Sequence, residues 1–229
     1  MKNIFYLLFA FGFIYLTSCN NNEPEEILDP SIPIYQEYEV DFYENGVVNV
    51  FANFRKNNAH GTSVKLNNGA YILANGYNMT YFRASDYADY GVAYDYSASM
   101  RNEEIVFEFI RSNDKKYTNK VSITDITPIS VQKDLSSLKN GELFKIGEES
   151  VKIDEILEVR LISLTNTQLV YKATVSIQDM TASFNNVPIG IYQLQVLNKK
   201  SMLTTENDKT ALGMINIYYL DSAQVSITE

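Results

Sequence analysis

Residues 35–54 have the sequence YQEYEVDFYENGVVNVFANF. Apolar and polar side chains alternate on both sides of Asn45-Gly46, and a period of two places them on opposite faces of a β-strand. Asn-Gly suits the tight turn of a hairpin, because a type I′ turn requires a positive φ at both central residues. The stretch therefore predicts two half-buried antiparallel strands, with inward side chains Tyr38, Val40, Phe42, Val48, Val50, Ala52 and Phe54.

The same pattern continues through the rest of the chain. Asn-Gly recurs at residues 68–69, 75–76 and 140–141. Apart from a short turn predicted at residues 136–139, no stretch shows the 3.6-residue apolar period of a helix. We therefore predict an all-β fold, with further strands at residues 62–66, 71–74, 77–82, 91–97, 104–110, 117–126, 156–163, 169–177, 181–184, 190–197, 211–220 and 223–228.

The length and one proline indicate the domain organisation. The chain has 229 residues and is 45% apolar, which is enough to form a core in each of two domains. Pro128 has no N–H to donate to a β-ladder, so a boundary is expected there. The prediction is two tandem β-sandwiches, residues 35–127 and 128–229, and a single barrel of roughly 190 residues is the alternative.

Residues 186–196, NVPIGIYQLQV, resemble the tyrosine corner of immunoglobulin- and fibronectin-like domains. In that corner a Pro/Gly turn precedes a tyrosine whose hydroxyl bonds back to nearby backbone. The resemblance implies an immunoglobulin-like second domain, with Tyr192, Leu194 and Val196 facing its core.

The first nineteen residues have the features of a secretion signal. Lys2 precedes thirteen uncharged residues, 4–16, a run shorter than the roughly 20 residues that span a bilayer as a helix. The run ends in Leu16-Thr17-Ser18-Cys19, which resembles the lipobox of bacterial lipoproteins and contains the only cysteine of the chain. The resemblance implies a signal peptide at residues 1–18, and a palmitate-type lipid anchor on Cys19. Asn20, in place of aspartate, favours the outer membrane.

Residues 19–34 are predicted to be a disordered, lipidated tether. Three of the five prolines lie in this segment, together with four acids and no base. The acids also resemble the export tag of Bacteroidota-type surface lipoproteins, and a simple solvated linker is the alternative. The cell-surface face of the membrane is favoured over the periplasmic face, and the choice stays open.

Charge and composition exclude several classes of function. The net charge of −9 opposes binding to nucleic acid, because phosphate binding needs a concentrated basic surface. The single histidine, His60, lies in a polar stretch and is expected to be an exposed loop residue. The sequence also lacks a nucleophile elbow, a phosphate loop and a zinc-protease motif. We therefore predict no cofactor, no metal and no catalytic residues, and a hydrolase with paired carboxylates is the least favoured alternative.

The densest aromatic region, residues 71–96, contains a predicted loop at residues 83–90. Tyrosine offers an apolar ring and a polar hydroxyl, which suits a sugar or a peptide. The alternative is that these rings fill the core or cover a sheet edge. The candidate ligand contacts are Tyr81, Asp86, Tyr87, Asp89 and Tyr90.

These observations favour a non-enzymatic binding or accessory module for a glycan, a peptide or a membrane complex. The alternative is a structural subunit of a fimbrial or secretion assembly that donates the C-terminal strand at residues 223–227. Lys199-Lys200 and residues 204–210 are expected to form a charged, mobile and solvated hairpin tip.

Overall fold

The computed structural model describes residues 25–26, 29, 31–84, 93–132, 134–147 and 151–228. The predicted signal peptide and Cys19 lie outside the described residues. The described residues confirm the all-β prediction, with one 3-10 turn at Ile123–Asp125. Their strands are β1 (Glu25–Glu26), β2 (Ile34–Tyr43), β3 (Val48–Lys56), β4 (Val64–Lys65), β5 (Tyr71–Ala74), β6 (Tyr77–Asn78), β7 (Thr80–Ala84), β8 (Ala93–Met100), β9 (Glu104–Ile110), β10 (Lys116–Ser122), β11 (Ser137–Lys139), β12 (Phe144–Lys145), β13 (Glu155–Ser163), β14 (Val170–Lys172), β15 (Thr174–Ser176), β16 (Thr181–Ser183), β17 (Gly190–Leu203) and β18 (Gly213–Thr228).

One large sheet spans both halves of the chain. Within the described ranges it has nine strands, in the order β14-β13-β17-β18-β2-β3-β8-β7, with β11 joined to β18. The predicted turn at residues 136–139 is therefore wrong for its last three residues, which form a strand parallel to β18. The smaller sheets have the orders β10-β9-β5-β6 and β12-β16-β15, and β1 pairs with β4.

In the first half of the chain the large sheet packs against the sheet that contains β9. The ring of Tyr38 stacks on Phe107 with 4.4 Å between centroids, and Phe54 lies 4.5 Å from Phe109. The side chains that the sequence predicted to face inward on β2 and β3 are all buried. Alternation therefore identified this core correctly, because each inward position meets the facing sheet.

The hairpin turn at Asn45-Gly46 has a different form from the predicted type I′ turn. Only Gly46 has a positive φ, and the Tyr43 N–H donates to Val47 O at 2.9 Å. This is a three-residue loop with glycine at the left-handed position. The type I′ form is present at Asn75-Gly76, where φ is 49° and 79°, between β5 and β6.

The tyrosine corner is present in the second half. The Tyr192 hydroxyl donates to Pro188 O at 2.9 Å, and Tyr192, Leu194 and Val196 are buried as predicted. The hydrogen bond fixes the turn before β17, so the phenol ring can enter the core without burying an unpaired hydroxyl.

The two halves share a hydrogen-bonded ladder. Strand β18 runs parallel to β2, from Gly213 beside Gln36 to Leu220 beside Tyr43. The large sheet therefore crosses the expected boundary at residues 127/128 instead of ending there. The reason is the length of β17 and β18, at 14 and 16 residues, which carries their hairpin into the first half.

The tip of that hairpin is docked onto the first half through Asp208, although four of residues 204–210 are exposed, as expected of a solvated tip. The Asp208 carboxylate accepts hydrogen bonds from Arg111 Nη1 at 2.7 Å, from the Ile34 N–H at 3.0 Å, and from Tyr117 and Lys115. Burial opposes ionisation of Asp208, but these donors outweigh it and hold the pKa of the carboxyl below its ordinary value.

The backbone at the expected boundary is also held. The Thr127 N–H donates to Glu155 Oε1 at 2.9 Å, and Asn198 Nδ2 donates to Thr127 O at 2.9 Å. Burial works against the ionised form of Glu155, but hydrogen bonds from Asn198, Thr127 and Lys152 keep its pKa below the ordinary value. The backbone that links the two halves is therefore hydrogen-bonded by side chains from β13 and β17.

The residues just before β2 and the end of β18 are both held by this framework. Ile34, predicted as the last tether residue, is fully buried, and the Ile32 carbonyl accepts from Arg111 Nη2 at 2.8 Å. The described end of the predicted tether is therefore docked and not free. At the other end, residues 223–227 pair with β17, and Val225 and Ile227 are buried in the chain's own sheet.

Candidate functional site

Only one of the five predicted ligand contacts lies in the described part of the chain. Tyr81 belongs to β7, is half-buried, and packs against the core. Lys65 Nζ lies 4.9 Å from the centre of its ring. For this residue the packing alternative therefore describes the contacts. The other four predicted contacts lie outside the described residues: Asp86, Tyr87, Asp89 and Tyr90.

His60 lies in the loop between β3 and β4 and is exposed, as predicted. Its backbone N–H donates to Asn58 Oδ1 at 2.9 Å. Across the described residues, no group of three or more His, Cys, Asp or Glu side chains is arranged to hold a metal ion.

The outward face of the large sheet carries a groove of about 350 Å³, which we call the outer-face groove. Side chains of β13, β17 and β18 form its floor, and the end of β2 with the β2–β3 turn forms one wall. Its volume lies at the lower end of the range for small-ligand sites, roughly 300–1,000 Å³. The floor side chains are Arg160, Gln193, Gln195, Leu197, Leu220 and Ser222, and the wall residues are Tyr43, Glu44 and Asn45.

Strand alternation explains why these side chains reach the groove. On β17, Leu194 and Val196 face the core and are fully buried, so Gln193 and Gln195 face outward. Register then aligns the neighbouring strands, because Gln195 lies opposite Arg160 on one side and Ser222 on the other. The floor is thus built on three adjacent paired strands.

A chain of hydrogen bonds orders the polar floor. Arg160 Nε donates to Gln195 Oε1 at 2.9 Å, and Gln195 Nε2 donates to Gln193 Oε1 at 3.4 Å. The guanidinium and the two amides are therefore held in one arrangement before a ligand arrives. Such preorganisation reduces the entropy lost on binding.

The wall is fixed to the sheet by the backbone of the turn. The Glu44 N–H donates to Leu220 O at 3.2 Å, and the Val47 N–H donates to Asn45 Oδ1 at 3.0 Å. Burial, with the nearby Asp41 carboxyl, raises the pKa of Tyr43, and a hydrogen bond from Asn49 opposes the rise. The Tyr43 phenol therefore remains a neutral hydroxyl beside the groove.

A pair of carboxyls continues along the outward face of β2 from the wall. Asp41 and Glu39 are two residues apart and face the same side of the strand. Burial, and then the charge of Glu39, raises the pKa of Asp41 to about 7. Near neutral pH the Asp41 carboxyl is thus partly protonated, and it can donate as well as accept a hydrogen bond.

A second cavity of about 340 Å³ lies on the other side of the β2–β3 turn. It shares Tyr43 and Glu44 with the outer-face groove, and Arg101 and Glu103 from the β8–β9 turn also line it. The β2–β3 turn therefore separates two cavities.

No pattern in the sequence indicates the outer-face groove. Arg160, Gln193 and Gln195 occupy the outward positions of alternating strands, and such positions are usually only solvated. The strand predicted at residues 190–197 is also too short, because β17 extends to Leu203. Among the described residues, the structure contains no helix with the length and hydropathy of a membrane span. Neither a protein-family model nor a curated protein matches the chain.

Proposed function

We propose that the protein is a lipid-anchored outer-membrane lipoprotein that acts as a non-enzymatic binding module. The outer-face groove is its ligand site, and Cys19 carries the anchor. Its two halves are immunoglobulin-like sandwiches whose largest sheets are merged. No catalytic residue and no cofactor take part.

The anchor rests on the resemblance of Leu16-Thr17-Ser18-Cys19 to a lipobox. Each buried methylene of an acyl chain contributes about 0.8 kcal/mol to membrane binding, and one chain alone binds only marginally. Two or three chains on Cys19 attach the protein stably. The protein then needs no membrane-spanning segment of its own.

One observation carries the binding function, namely the ordered polar floor of the outer-face groove. A groove with hydrogen-bonded side chains on rigid strands meets the general requirement for a preorganised site. The floor offers donors from Arg160 and both donors and acceptors from the two glutamines. Leu197 and Leu220 add apolar surface beside them.

The anchor is tested by Cys19→Ser, with Ser18→Ala as the matched control because it keeps a small residue at that lipobox position. Cys19→Ser should incorporate no labelled palmitate and retain its signal peptide. Ser18→Ala should be labelled and processed normally. Equal labelling of Cys19→Ser and the parent protein would refute the assignment.

The membrane face is tested by adding protease to intact cells. We expect cleavage without permeabilisation, because the surface face is favoured. Protection until the outer membrane is opened would indicate the periplasmic face. The groove would then meet only ligands that enter the periplasm.

A second candidate function is a structural subunit of a fimbrial or secretion assembly. The observation that favours it is strand β14, at one end of the large sheet in the described chain, with Val170 44% exposed. Leu164 and Ile191, 47% and 49% exposed, are also apolar side chains in this part of the sheet. An edge of this kind can accept a strand from a partner.

The two candidates differ in the mass of the purified protein. Light scattering of the detergent-solubilised chain should give one protomer if it is a binding module. A stable larger complex, lost when Val170→Lys places a charge on the edge strand, would favour assembly instead.

A further inference from the structure

We infer that the outer-face groove binds a neutral saccharide, a short segment that its volume of about 350 Å³ can hold. This inference rests on the proposed binding function and names its ligand class. Three features of the groove carry it: the saturated backbone of its floor, the mixture of donors and acceptors, and the absence of excess positive charge.

The first feature is that the backbone of the floor is already paired. Gln193 lies in the ladder between Ile162 and Gln224, and Gln195 lies between Arg160 and Ser222. A peptide that binds a sheet pairs with free backbone groups at an edge, and these inner strands offer none there. Recognition at the floor must therefore come from side chains.

The second feature is the kind of side chain present. Gln193 and Gln195 each carry a donor and an acceptor, and Ser222 offers a hydroxyl that does both. The hydroxyl of a sugar also donates and accepts, so it can match either role. The wall adds the Tyr43 ring, an apolar surface with a polar edge against which a sugar ring can pack.

The third feature is charge. The described lining contains one cation, Arg160, and two carboxylates, Glu44 and Asp221, so no excess of positive charge attracts an anion. Asp221 is also occupied, because its carboxylate accepts from the N–H groups of Val131 and Ser222, both at 2.7 Å. The chain as a whole carries −9, which repels polyanions further. These charges oppose an anionic ligand, so a neutral saccharide is favoured over an acidic one.

The test is titration calorimetry on the full-length lipidated protein in a zwitterionic detergent, because a glycosidic detergent would compete. The probes are neutral oligosaccharides of two to four units of glucose, mannose, xylose or N-acetylglucosamine. Oligogalacturonate and end-blocked neutral tetrapeptides of the same length serve as comparison ligands.

The variants are Gln195→Leu and Arg160→Met, which break the hydrogen-bonded floor at different residues. Gln168→Leu is the matched control, since Gln168 is exposed in the β13–β14 loop and does not line the groove. All three change outward side chains, so unfolding midpoints close to that of the parent protein should confirm that they fold.

At least one neutral oligosaccharide should bind the parent protein and the Gln168→Leu control equally. Gln195→Leu and Arg160→Met should each weaken that binding at least about tenfold, the loss expected for a hydrogen-bonding group in a preorganised site. If only peptides or oligogalacturonate bind, and the same two variants weaken them, the saccharide inference fails while the groove remains the ligand site. If saccharide binding is equal in all variants, or no probe binds, both the inference and the proposed site fail.

Discussion

Asp208→Asn removes the charge at the point where the β17–β18 hairpin meets the first half of the chain. The side chain of Asp208 is 12% exposed and that of Arg111 is 5% exposed, so solvent screens this ion pair little. Without its counter-charge the buried guanidinium typically costs about 3–5 kcal/mol of stability. With a cost of about 3 kcal/mol and about 2–4 °C per kcal/mol for a chain of this size, we expect Tm to fall by about 6–12 °C.

The dependence on pH identifies the cause of that loss. The pKa of Asp208 is lowered in the folded protein, so its contribution is fully present above the unfolded value of 3.8. The contribution is lost as the pH falls through the lowered pKa. Urea unfolding followed by circular dichroism should therefore show a large difference between parent and variant at pH 7 and a smaller one at pH 2.5.

The control for this experiment is Asp154→Asn. Asp154 is also paired with a cation, Lys200 at 3.1 Å, but its side chain is 55% exposed. We expect its unfolding midpoint to stay close to that of the parent protein, because exposed ion pairs contribute little. The reasoning is refuted if Asp208→Asn unfolds like the parent protein, or if both variants lose the same stability.

Two further variants test features of the sheet. Asp41→Asn should stabilise the protein at pH 8 by about 1–2 kcal/mol, after allowance for solvent screening. The raised pKa of Asp41 means that its charged form costs stability, and this cost grows as the pH rises from about 4 to about 7. Unfolding in urea at pH 8 and pH 4 checks this, and a gain that persists at pH 4 would contradict it. Tyr192→Phe should cost about 1 kcal/mol, since it deletes the hydrogen bond to Pro188 but keeps the ring. Thermal unfolding measures the loss, and an unchanged Tm would mean that the hydrogen bond of the tyrosine corner contributes nothing to stability.

Local patterns predicted most of the strands. Alternation located β2, β3 and β9 within a few residues, because each of these strands has one face in the core. The tyrosine corner was found because its turn and its tyrosine are only four residues apart. Both signals are local, and neither depends on what the distant part of the chain does.

Long-range pairings were not predictable in the same way. The parallel ladder between β18 and β2 joins Gly213 to Gln36, and nothing near either residue indicates the other. Asp208 and Arg111 each look like solvated charges in the sequence, and their burial follows only when the hairpin is long enough to bring them together. The predicted strand ended at residue 197, because the next three residues, 198–200, include two lysines. In the structure these residues belong to β17.

The candidate site depends on those same long-range contacts. Arg160, Gln195 and Tyr43 come from three strands far apart in the sequence, and the register of the large sheet brings them to one groove. The five predicted ligand contacts, in contrast, were chosen from one segment that is dense in aromatic residues. Clustering in sequence was the only signal available, and the groove has no such clustering.

The most direct test of the account is a crystal structure of the protein with the neutral oligosaccharide that binds it most tightly. We expect the sugar rings in the outer-face groove, within hydrogen-bond distance of Arg160, Gln193 or Gln195 and against the Tyr43 ring. An oligosaccharide bound elsewhere on the molecule, with the groove empty, would contradict the central claim that this groove is the ligand site.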